Sequence, residues 1–233
     1  MIGTRTAAAL AGAAALGMAL GLAAGTAHAG PRPPSGEGTL YGNPAAAAPF
    51  WRYQGYDDDC VEMAVADVVG ELTGRQPSER DVVKLAQTTP STVHPGPVYV
   101  KPKKHTAGAG TSFDDEPLLL AHYGIHAVAT DEERAAKSGV PTGMTELERD
   151  LAQGRKVIAG VNSEVIWEEP VEDKTPDGRP EANHAVVVTG VDTAAGVVYL
   201  NDSGSEDGRS ERVPIDVFAR SWASSDDQMT VTD

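Results

Sequence analysis

The sequence of 233 residues contains one cysteine, Cys60. No intramolecular disulfide can form, which excludes the class of small exported scaffolds held together by disulfides. Cations are also scarce: 19 Lys and Arg stand against 34 Asp and Glu, a formal net charge of −15. Phosphate-backbone binding needs clustered Lys and Arg. The one basic cluster, Lys101, Lys103, Lys104 and His105, is short and interrupted by Pro102, so no nucleic-acid partner is expected. After the N-terminal region no apolar run reaches the ~20 residues that a membrane-spanning helix requires. Metal-ligand spacing is lacking too. His122 and His126 are four apart, but Gly124 between them opposes a helix that would carry both to one ion. Gly108-Ala109-Gly110 is too short for a phosphate-binding loop. Neither a metal nor a cofactor is expected.

What is present begins with an export signal. Arg5, an Ala/Leu/Gly-rich run over residues 7–24 and the small-x-small motif Ala27-His28-Ala29 read as a secretory signal peptide, residues 1–29, with the mature chain starting near Gly30. The protein is therefore expected to be secreted, to the extracellular space or cell envelope, without stable membrane insertion after cleavage. Residues 30–50 are rich in Pro, Gly and Ala without a hydrophobic period and read as a flexible leader. Residues 51–233 are long enough for one domain with its own core.

Within that domain Val61, Val65, Val68, Val69 and Leu72 recur at helical spacing, which predicts a helix from Asp59 to about Thr73, ended by Gly74. Asp59 with Glu62 three residues on has the form of a capping box. A second helix is expected from Ser78, through Val82, Val83 and Leu85, then a long loop over residues 88–112. Further helices are expected over residues 113–123, 145–153 and 214–222. Short strands are expected over 125–130, 157–162 and 229–231, and residues 168–182 read as an acidic loop. The apolar run 185–191 reads as a buried strand, with 197–200 as its hairpin partner across Gly196 and a polar turn over 203–209. Helices first and then mainly strands indicate an α+β fold.

Four residues carry candidate chemistry. Cys60 would be the first residue of its helix, where free backbone N–H groups and the positive end of the dipole favour a thiolate. Asp57, Asp58 and Asp59 oppose that charge, so an imidazolium is needed beside the sulfur. His184 stands at the mouth of the buried strand. Asp202, at the end of the hairpin partner, could accept the imidazole Nδ1–H and hold the ring, with Asn201 as a weaker alternative. Gln54, six residues before Cys60, could donate its side-chain amide to an oxyanion beside the Cys60 N–H.

Gln54 and Cys60 at a helix start, then His184-Ala-Val-Val-Val-Thr-Gly-Val-Asp192, then Val198-Tyr-Leu-Asn-Asp202, resemble the papain-like cysteine peptidases of the bacteriocin-leader-peptidase (C39-like) group, and more closely their exported actinobacterial type. The resemblance runs from about Trp51 to the C-terminus. It implies a papain-like fold, a helical N-terminal part packed on a mainly antiparallel sheet. It implies a peptide or protein substrate and the roles nucleophile, base, orienter and oxyanion donor for Cys60, His184, Asp202 and Gln54. Val61 stands where that group often has Gly, which implies a narrower cleft. A non-catalytic binding module on the same fold, a cell-wall amidase or endopeptidase, and a transglutaminase-like acyltransferase use overlapping residues and remain open alternatives. The sequence does not set the oligomeric state.

Overall fold

The computed structural model describes residues 38–103 and 108–233. The signal peptide expected over residues 1–29 lies outside the described residues. Among these, no helix is long and apolar enough to cross a membrane.

The chain opens with a short strand, β1 (Leu40–Gly42), and a one-turn helix, α1 (Pro44–Ala47), capped by the Asn43 side chain. Two longer helices follow, α2 (Cys60–Thr73) and α3 (Glu79–Thr88), and after a long loop comes α4 (Glu116–His122). The remainder alternates strands with short helices: β2 (Ala127–Thr130), α5 (Glu132–Ser138), α6 (Met144–Ala152), β3 (Val157–Val161) and α7 (Ser163–Ile166). It ends with β4 (His184–Asp192), β5 (Val197–Asn201), β6 (Arg209–Pro214), α8 (Ile215–Trp222) and β7 (Met229–Thr232).

The strands form one antiparallel sheet in the order β2-β7-β3-β4-β5-β6, with β1 also on β4. β4 is the central strand. β3 covers its first half, from His184 to Val188, and β1 pairs with residues 190–192 beyond the point where β3 ends. Strand alternation sends side chains to two cores. Ala185, Val187 and Ile158 face a layer made by α2, α3 and α4, while Val186, Val188, Val157, Ala159 and Val161 face α6 and α8. A bulge between Val188 and Gly190 shifts the alternation, so that Val191 returns to the α6–α8 side. Fully burying one such valine stabilises by about 1.5–3 kcal/mol, and the valine-rich run 186–188 is what holds β4 at the middle.

Three expectations need correcting. Residues 40–50 are not a leader: Leu40–Gly42 is paired in the sheet, and Pro44 and Ala47 are buried. A strand of three residues is too short to show a period. The polar turn expected over 203–209 forms but ends one residue early, where β6 begins, an edge strand for which the sequence offered no reading and whose only fully buried residue is Val213. The capping box at α2 does not form. Asp59 makes no cap bond with its side chain, and Glu62 instead accepts the Thr111 hydroxyl at 2.6 Å. Both carboxyls have turned to partners far along the chain.

Candidate active site

The site lies where the first turn of α2 meets the start of β4. Asp59 takes a non-helical conformation, its carbonyl accepts the first helical bond from Met63 N–H at 3.0 Å, and Cys60 becomes the first residue of α2. The first N–H groups of a helix lack intrahelical partners, and here no side-chain cap covers them. Cys60 is 8% exposed and opens on the floor of a cleft of about 960 Å³. Val61 points into the core and does not line this cleft, so the narrowing expected from it does not occur.

His184 begins β4 opposite Val161 and is 4% exposed. Its Nε2 meets Asp202 Oδ1 at 2.6 Å. This corrects the expected Nδ1 contact: the ring gives its Nε2 edge to the carboxylate and lies against Gly204, where a Cβ would come within 3.0 Å of it. The Cys60 thiol is the second polar group interacting with the imidazole. Asp202 is fully buried just past β5, and its Oδ1 also accepts the Gly204 N–H at 2.7 Å. Asn201 turns away, donating to Asp67 Oδ2 at 2.8 Å and to the Ala47 carbonyl at 3.0 Å.

The electrostatics follow from these contacts. Burial disfavours a charged imidazole, but the Asp202 charge and hydrogen bond, with smaller contributions from Cys60, outweigh it and push His184 up to about 10. Burial would raise Asp202, and the imidazolium, Trp167 and the Gly204 N–H together hold its carboxyl below the usual range. A buried pair is stable only when its lone pairs and protons are satisfied, and Asp202 has a donor on each oxygen.

One of those donors escaped the sequence reading. Trp167 Nε1 donates to Asp202 Oδ2 at 2.9 Å, and its ring stands 5.6 Å from the His184 ring. Trp167 follows α7, which Asn162 caps by accepting Val165 N–H at 2.9 Å. Its indole thus packs on the His184–Asp202 pair from the residue just before the loop read as acidic, a position for which the sequence offered no reading. On the far side Trp51 Nε1 donates to the Asp202 carbonyl at 2.5 Å.

Gln54 lines the same cleft. Its backbone N–H donates to the Ser203 carbonyl at 2.9 Å, and its Oε1 accepts the Ser203 hydroxyl at 2.9 Å. One N–H of its amide donates to the Tyr56 carbonyl at 2.8 Å. A side-chain amide carries two N–H donors, so one is held by this bond and the other is not. The loop that ends in Gly108 and Gly110 forms part of the opposite wall, and Asp57, Asp58 and Asp173 place carboxyls along the cleft. Among the described residues, no group of three or more His, Cys, Asp or Glu is arranged to hold a metal ion.

A model of the Peptidase_C39 like family matches residues 43–230. This chain belongs to that family. Its α+β architecture is the papain-like cysteine peptidase fold. Uncharacterized proteins of Mycobacterium tuberculosis and Mycobacterium bovis are 53% identical over 216 residues, spanning 91% of this chain and 93% of theirs. A crystal structure solved as a C39-like peptidase from Bacillus anthracis superposes with a TM-score of 0.55 at 16% identity, over 84% of this chain and 98% of that one. That likeness is one of fold.

Proposed function

We propose that this C39-like protein is a secreted cysteine peptidase that hydrolyses amide bonds in a peptide or protein. The observation that carries this reading is His184, buried against Asp202, interacting electrostatically with the Cys60 thiol and lining the same open cleft. In the proposed reaction the Cys60 thiolate attacks the scissile carbonyl carbon. The Cys60 N–H, at the start of α2, and the second N–H of Gln54 face the charge that develops on oxygen. His184 delivers its proton to the leaving nitrogen as the C–N bond breaks, leaving a thioester on Cys60. The imidazole then takes a proton from water, whose oxygen attacks the thioester; the C–S bond breaks, releasing the acid and restoring the Cys60 thiolate beside the His184 imidazolium. Asp202 keeps Nε2 occupied throughout, so that Nδ1 faces the sulfur. With three carboxyls on its walls and no Lys or Arg among the described residues that line it, the cleft suits neutral or cationic segments better than acidic ones.

A second reading, a non-catalytic binding module, is favoured by one detail: the bond from the Gln54 amide to the Tyr56 carbonyl restricts its turning toward an oxyanion. Incubating the mature chain with a mixed peptide library and identifying new termini by mass spectrometry separates the two. The peptidase reading expects cleavage by the native chain and none by Cys60→Ala. Peptides retained intact by both would favour the binding module.

A further inference from the structure

Next to the nucleophile lies a carboxyl that the reaction above does not use. Asp59 immediately precedes Cys60 and is fully buried, and neither of its oxygens has a hydrogen-bond donor from a neutral or cationic group. Its neighbour is another carboxyl, Glu79, at the first turn of α3. Two carboxyls in contact can satisfy each other only by sharing a proton. The Glu79 carboxyl has a further task. Its Oε1 accepts the Gly55 N–H at 2.7 Å and lies so close to that backbone that a Cβ at Gly55 would meet both carboxyl oxygens, at 2.7 and 3.0 Å. Gly55 follows Gln54 directly, and Gln54 is tied on its other side to Ser203, the neighbour of Asp202.

We infer that Glu79 is a positioning residue: its carboxyl bridges the Gly55 N–H and Asp59 through one shared proton, and so clamps the Gln54 arm to the first turn of the Cys60 helix. Loss of that proton would put two negative charges in contact with no cation between them, and the arm would separate from the helix. The groups facing the clamp favour the proton's retention. Asp58 and Glu62 add negative charge from the α2 side, and the loop before the cleft wall presents the Tyr99 hydroxyl, which donates to Asp58 at 2.8 Å. Arg52 donates to the Pro77 carbonyl and Lys101 to the Tyr56 hydroxyl. Burial first, and Glu79 next, raise Asp59 well above the usual carboxylate range.

The effect on rate rests on the peptidase reading, but the clamp can be read without turnover. In the full mature chain the backbone resonance of Gly55, followed by ¹H–¹⁵N NMR, should titrate with a midpoint above about pH 6, two units over a free carboxyl. Glu79→Gln should remove that titration, because its carbonyl still accepts from Gly55 while its amide donates permanently to an ionised Asp59. Asp59→Asn should remove it too. If peptide hydrolysis is found, native turnover should fall through the same midpoint and Glu79→Gln should stay flat there. Glu79→Ala should lose about 10- to 100-fold in kcat with KM nearly unchanged, as expected when a reacting group is displaced by about 1 Å. A Gly55 signal that does not move between about pH 5 and 9 would overturn the clamp, as would native titration persisting in Glu79→Gln. Titration that Glu79→Gln abolishes, in a chain that hydrolyses nothing, would support the clamp and count against the peptidase reading alone.

Discussion

Two groups of buried carboxyls sit within the same fold and hold opposite charge states. Asp202, at the end of β5, has an imidazole, an indole N–H and a backbone N–H around it, and its carboxyl stays ionised. In the first turns of α2 and α4, Glu62 and Glu116 are as deeply buried, and burial raises both so that they hold their protons in mildly acidic solution. Burial pushes Glu62 up to about 7, partly offset by the Thr111 hydroxyl. It pushes Glu116 up to about 8, with Thr230 opposing and Asp114 and Glu62 adding to the rise. Depth is equal in the two places, so the partners decide the charge. The chain thus places an ion pair where chemistry is proposed and neutral acids where it needs only packing and hydrogen bonds.

The largest expected effects come from dismantling the charged side. Cys60→Ala should leave no measurable turnover while preserving the fold. Asp202→Asn should lower turnover by on the order of 10²- to 10⁴-fold, because an amide neither stabilises the imidazolium nor fixes its tautomer as well. Measuring kcat/KM on whichever peptide the library identifies would check both. Gln54→Ala comes next, at roughly 10²- to 10³-fold if its free N–H reaches the oxyanion. An unchanged rate there would favour the binding-module reading.

The neutral side should appear in stability. A folded-state value raised above the unfolded one means that the folded chain binds the proton more tightly. For Glu62 and Glu116 the benefit is full below about pH 4.5 and is lost as pH rises through about 7 and 8. His184 behaves likewise at higher pH: its contribution is complete below about 6.5 and is lost on passing about 10. Asp202, lowered in the fold, contributes above its unfolded value of 3.8 and is lost below it. Chemical unfolding should therefore show greatest stability in mildly acidic solution, and a loss on the order of a few kcal/mol toward pH 8. Glu116→Gln should flatten that slope, whereas a slope unchanged in the variant would contradict the assignment. The smallest effect expected is from Trp167→Phe, which removes one charged hydrogen bond to Asp202. It should cost about 1.5–3 kcal/mol in stability, read by chemical unfolding at neutral pH, and move the Asp202 carboxyl back up toward its ordinary range.

Much of this was legible in the sequence for local reasons. The valine spacing marked α2, although that helix is buried all round from Cys60 to Gly70 and Leu72, expected on its apolar stripe, is exposed. The apolar run after His184 marked the central strand, and Gly196 marked the hairpin that brings Asp202 back to it. What could not be read depends on distant contacts or short, exposed elements. α5 has no buried residue, so no apolar stripe announced it, and β1 has only three residues. Trp167 meets Asp202 across 35 positions and Gly55 meets Glu79 across 24. No pattern in either segment points to the other. The local pattern of Asp59 and Glu62 even suggested the wrong partners, because a capping box is a rule about neighbours and both residues found theirs through the fold.

The central claim is that the His184 imidazolium, held by Asp202, makes Cys60 a reactive nucleophile. Its most direct test needs no substrate: the rate of Cys60 alkylation by iodoacetamide from pH 5 to 11, in the native chain and in His184→Ala. The expected result is fast alkylation of the native chain already at pH 6, slowed by roughly tenfold or more in the variant, with the two profiles converging above about 10 as the imidazolium is lost. Superimposable profiles, or a native thiol that reacts only above about pH 8.5 like a free cysteine, would contradict it.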